Sequence, residues 1–96
     1  MRKSNNYTLG EAIREFLNAY RLDDKLLERQ VIQSWEQVMG KMVMKHTTRL
    51  SIRKKRLYVK IDSAALRNEL NYAREKIKNA LNKEVRADVI SEVIIH

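Results

Sequence analysis

Arg49-Leu50-Ser51-Ile52-Arg53-Lys54-Lys55-Arg56-Leu57-Tyr58-Val59-Lys60-Ile61 alternates apolar and polar side chains on both sides of a Lys-Lys pair. A period of 2 places successive side chains on opposite faces of a strand, so the stretch predicts a β-hairpin with strands over 49–53 and 56–61. The connecting pair is neither Asn-Gly nor Asp-Gly, and the turn type stays open. One face of the hairpin gathers Leu50, Ile52, Leu57, Val59 and Ile61; the other gathers Arg49, Ser51, Arg53, Arg56, Tyr58 and Lys60. A two-stranded ribbon is marginal in water, so the apolar face needs a cover from the rest of the chain.

That cover is legible on both sides. Thr8-Leu9-Gly10-Glu11 has the form of a capping box, and Leu9, Ala12, Ile13, Phe16, Leu17 and Tyr20 then recur at helical spacing. A second helix is expected to open at Asp23 or Asp24 and to carry Leu27, Val31, Trp35, Val38 and Met39 along one side, with Gly40 as its stop or bend. Met42, Val43 and Met44 read as a short apolar turn, with Met39, Met42 and Met44 as core filling. Beyond the hairpin, Asp62 or Ser63 caps one long helix bearing Leu66, Leu70, Ala73, Ile77 and Leu81, and Val89–His96 is β-branched enough for a third strand. The expected architecture is α+β, in the order α-α-β-β-α-β, with a small three-stranded sheet whose helices pack on one face. The expected core includes Trp35, Leu50, Ile52, Leu57, Val59, Leu66, Leu70 and Ile77.

Ninety-six residues with 44% apolar content suit one domain over 8–96 after a flexible N-terminus at 1–7. The chain has no cysteine, which removes disulfides, thiolate metal sites and cysteine nucleophiles and favours a cytoplasmic location. No window approaches the 18 apolar residues of a membrane span. The net charge of +8 is local: Lys41 to Ile61 holds eight basic residues and no acid, and the remainder balances. A clustered positive field is a docking surface for a polyanion or for an acidic protein face.

The candidate nucleic-acid contacts are Lys45, Arg49, Arg53, Lys54, Lys55, Arg56, Tyr58 and Lys60. The cations suit phosphates, and the ring suits stacking on a base. His46 and His96 stand alone without metal-ligand spacing, Asp23-Asp24 reads as helix capping, and Ser63 has no base beside it, so neither a metal, a cofactor nor a catalytic residue is expected.

Trp35-Glu36-Gln37-Val38-Met39-Gly40, His46-Thr47, Leu57-Tyr58-Val59-Lys60-Ile61-Asp62-Ser63 and Arg67-Asn68-Glu69-Leu70 occur in the order of the motifs of a known group. Through them the chain resembles the DciA-like family (domain of unknown function 721) from about Leu9 to its end. The resemblance implies a KH-like domain in a bacterial protein that acts with the replicative helicase at DNA replication: a DNA-linked adaptor and not an enzyme. Where the family often has a tryptophan early in the helix after the hairpin, this chain has Ala65-Leu66. The Gly-x-x-Gly loop with which KH domains clamp a backbone is missing, so their RNA-binding mode is not carried over. The resulting expectation is a protein that binds single-stranded or junction DNA and the helicase. The alternatives are a module that docks on an acidic protein surface without nucleic acid and an RNA-binding or ribosome-associated domain.

Overall fold

The computed structural model describes residues 8–19 and 22–96. The elements are α1 (Leu9–Ala19), α2 (Leu22–Met39), α3 (Lys41–Lys45), β1 (Thr47–Arg53), β2 (Arg56–Ile61), α4 (Ala64–Tyr72), α5 (Arg74–Val85) and β3 (Glu92–Ile95). The sheet runs β1-β2-β3, with β2 central, antiparallel to β1 and parallel to β3. The structure is therefore α+β, with helices on one side of a three-stranded sheet as expected. Residues 1–7, expected to be flexible, lie outside the described residues, as do Tyr20 and the side chains of Leu17 and Asp23.

The capping box closes as its sequence implies: the Thr8 N–H donates to Glu11 Oε1 at 2.9 Å and the Glu11 N–H to Thr8 Oγ1 at 3.1 Å. Those bonds favour the charged carboxylate and hold Glu11 below its ordinary pKa. The apolar stripe of α1 nevertheless stays largely exposed at Leu9, Ile13 and Phe16. Helix α2 opens at Leu22, slightly ahead of the expected Asp23 or Asp24. It ends at Gly40, whose φ of 92° lies in the region that a side chain disfavours. The expected turn at Met42–Met44 is instead the single-turn helix α3. It buries Val43 and leaves Met42 and Met44 exposed, so those two methionines do not fill the core.

The hairpin is in the expected register, from Arg49 opposite Lys60 to Arg53 opposite Arg56. Lys54 and Lys55 both have positive φ, 52° and 64°, the requirement of a type I′ turn that asparagine and glycine meet without strain. The Ser91 N–H and hydroxyl both donate to the Lys55 carbonyl, at 2.7 and 3.1 Å, and tie the turn to the approach of β3. Placing Asn-Gly at these two positions is expected to raise stability by about 1–2 kcal/mol, because two left-handed lysines are relieved. An unchanged or lower midpoint in urea would contradict that reading of the turn.

The single long helix expected after Ser63 is two helices. Ser63 does cap the first, accepting from the Leu66 N–H at 3.3 Å. At Ala73 the path changes: its φ and ψ are −107° and 15°, and its N–H bonds back only three residues to Leu70. Arg74 Nε donates to the Asn71 carbonyl, whose partner four residues on lies beyond the break, and the Asn71 amide donates to the Arg67 carbonyl within α4.

The third strand is also shorter than Val89–His96. Val89 and Ile90 are buried but held by one side chain: Asn82 Oδ1 accepts from both of their N–H groups at 3.0 Å, and its Nδ2 donates to the Ile90 carbonyl at 2.8 Å. Asn82→Ala is expected to cost about 2–4 kcal/mol, since it orphans the Ile90 N–H and carbonyl next to the core and leaves the Val89 N–H only its bond to the Ala87 carbonyl; amide exchange at Ile90 reports the loss directly.

The core gathers Val31, Trp35, Leu57, Val59, Ile61, Leu66, Leu70, Ile77, Leu81, Ile90, Val93 and Ile95 between the helices and the sheet. Leu50 and Ile52, expected within it, are only half-buried at its margin, because the helical layer centres under β2 and β1 is an edge strand.

Candidate nucleic-acid interface

Strand parity directs Arg49, Ser51 and Arg53 of β1 and Tyr58 and Lys60 of β2 to the face of the sheet opposite the helices. With Ile52 and His96 they line an open hollow of about 460 Å³ that has no Asp or Glu in its lining. Ser51 stands opposite Tyr58, and the Arg53 guanidinium lies over the Tyr58 ring, 5.5 Å from its centroid. This cation–π contact fixes the guanidinium beside an aromatic plate at the middle of the sheet.

The other expected contacts lie elsewhere. Arg56 is on the same face but pairs with Glu92 at 3.2 Å, which withdraws part of its field. Lys54 is exposed at the hairpin tip. Lys55 lines a different hollow, of about 220 Å³, together with Asp24, Leu27, Glu28, Asp88 and Val89. Lys45 sits in the last turn of α3, away from the hollow. His96, not among the expected contacts, joins the site because β3 runs parallel beside β2: the His96 N–H donates to the Val59 carbonyl and the His96 carbonyl accepts from Ile61. The alternation 92, 94, 96 in β3 was the available signal.

His46 is occupied structurally. Its Nδ1 lies 2.8 Å from Asp62 Oδ1 and its carbonyl accepts from the Asp62 N–H, stapling the two outer ends of the hairpin. Among the described residues no group of three or more histidines and carboxylates could hold a metal, and no helix is long and apolar enough to cross a membrane. A further hollow of about 340 Å³, between the α4–α5 junction and β3, mixes Arg74 and Lys78 with Glu75 and Glu92, and Lys78 pairs with Glu75. The charged side chains of Arg49, Arg53 and Lys60 around the hollow over the sheet are all basic, which suits it to a polyanion.

No curated protein sequence matches the chain. A family model described as "Dna[CI] antecedent, DciA" matches residues 8–95, which take in every element from α1 to β3. The chain therefore belongs to the DciA family, a family of adaptors associated with loading the replicative helicase.

Proposed function

We propose that the protein is a non-enzymatic, DNA-binding adaptor of the replicative helicase, working in the cytoplasm and holding single-stranded DNA on the open face of its sheet. The observation that carries this is the convergence of Arg49, Arg53 and Lys60 around Tyr58 in a hollow lined by no Asp or Glu. The guanidinium and ammonium groups bond phosphates, while Tyr58 offers a base an aromatic surface once Arg53 swings from the ring to a phosphate. A flat, wide sheet face fits splayed single strands better than it fits a duplex groove, which admits a helix or a narrow ribbon.

Titration of single-stranded DNA, duplex DNA and RNA at two salt concentrations, beside a pull-down of the replicative helicase, tests the reading. Tightest binding to the DNA single strand supports it. Helicase capture without measurable nucleic-acid binding would leave an adaptor but remove DNA from its open face, and preference for RNA would replace DNA as the ligand. Tyr58→Ala is expected to weaken single-strand binding by about 1–3 kcal/mol with the salt dependence unchanged, the mark of lost stacking rather than lost charge.

A further inference from the structure

The outer edge of the sheet is as distinctive as its face. Strand β1 is seven residues long, stands at the end of the β1-β2-β3 order, and has no buried residue along its length. Residues opposite one another in an antiparallel pair alternately exchange both backbone bonds and exchange none. With Arg53 and Arg56 closing the two-residue turn, Leu50 and Ile52 fall in the second class, and their N–H and C=O groups point away from β2 to the open edge. On the helical side the same two residues are only half-buried, whereas Leu57, Val59 and Ile61 of β2 are 1%, 0% and 1% exposed. Backbone donors and acceptors therefore coincide with an uncovered apolar margin.

Charge decides the occupant. A second copy pairing antiparallel about Ser51 would set Arg49 against Arg53 twice, and like charges directly opposite are destabilising. A strand whose open-face side chains are acidic meets the reverse situation, since Arg49, Arg53 and, one strand in, Lys60 all lie on that face. We infer that the β1 edge is a strand-addition site for an extended peptide of a partner protein that alternates acidic and apolar residues. The acids face Arg49 and Arg53, and the apolar side chains extend the core beyond Leu50 and Ile52. Main-chain bonds supply the affinity and the alternation supplies register, as in other β-augmentation. In the register centred on Ser51 the edge thereby disfavours its own kind while admitting a complementary strand, a use of charge that protects exposed edges generally.

The probe is a synthetic peptide of alternating glutamate and valine, titrated against the whole chain and followed by amide exchange. Binding is expected to slow exchange at Leu50 and Ile52 by about tenfold or more while neighbouring β2 amides stay as they were. Ile52→Pro removes one edge donor without touching the β2 ladder and is expected to abolish the slowing. Arg49→Glu combined with Arg53→Glu is expected to weaken the acidic peptide about tenfold or more and to favour a lysine–valine peptide instead, a readout that survives even if the proline variant is unfolded. Peptide binding that leaves Leu50 and Ile52 exchange unchanged would be capture by the charged face alone and would overturn the strand-addition site. Absence of binding overturns it equally. Neither result bears on the single-strand DNA reading, which is measured with a different ligand.

Discussion

Replacing Trp35 by alanine is expected to destabilise the domain by about 3–5 kcal/mol, a large share of the 5–15 kcal/mol that holds a domain of this size together. Trp35 is the single tryptophan of the chain, only 1% exposed, and belongs to the cluster formed by α2, the sheet and the paired helices α4 and α5. Its loss leaves a cavity bordered by three layers that cannot all close at once. The ring is also a donor: Nε1–H bonds Thr47 Oγ1 at 3.0 Å, and that hydroxyl donates in turn to the Val43 carbonyl at 2.7 Å. The relay joins α2, α3 and the start of β1. Trp35→Phe keeps most of the volume and loses the relay, so about 1 kcal/mol is expected for it. Urea denaturation followed by far-ultraviolet circular dichroism separates the two variants. A Trp35→Ala midpoint equal to that of the parent, or a native emission spectrum typical of an indole in water, contradicts the placement.

The second large effect is electrostatic. If Arg49, Arg53 and Lys60 each neutralise a phosphate, replacing all three by alanine is expected to make the log-affinity against log-salt slope for single-stranded DNA shallower by about 2, at about 0.7 per phosphate. Exposed substitutions of this kind leave stability within about 0.5 kcal/mol, so the comparison is between folded proteins. Arg56→Ala serves as the contrast, because Arg56 already answers Glu92 and is expected to move the slope far less. The Asn-Gly turn variant removes two cations at the hairpin tip, neither of which lines the hollow over the sheet, so it is expected to move the slope less than the triple variant does. Equal slopes for the parent and the triple variant would take the hollow out of DNA binding.

The hairpin was legible in the sequence because burial on one side writes its period of 2 directly into residues 49–61. The face of Arg49, Arg53, Tyr58 and Lys60 follows from the same parity. The break at Ala73 was not legible, since Leu66, Leu70, Ile77 and Leu81 keep one helical stripe through it and no glycine or proline interrupts them. Nor was the place of Lys55 away from the hollow over the sheet, because the residues that share its own hollow come from α2 and from the loop after α5, which meet only in the folded chain. The pairing of Arg56, a candidate contact by sequence, depends on the register of β3, which places Glu92 opposite it. The margin at Leu50 and Ile52 depends on where the helical layer ends, a tertiary fact that alternation does not encode. Asn82 was silent for the same reason, its partners lying seven and eight positions downstream in a loop that folds back on it.

The parallel partnership of β2 and β3 also sets an order in time. The hairpin closes through a two-residue turn, whereas the contact of Lys55 with Ser91 joins positions 36 apart and requires α4 and α5 to be in place. Loop-closure entropy makes such distant pairings late in folding, and late-forming elements are commonly the first to open in the native state. Transient release of β3 would carry His96 away from the hollow and uncover Leu57 and Val59 while leaving the hairpin with Arg49, Arg53, Tyr58 and Lys60 intact. The hairpin, with the basic face proposed for DNA, would thus form before β3 joins it and outlast the release of β3.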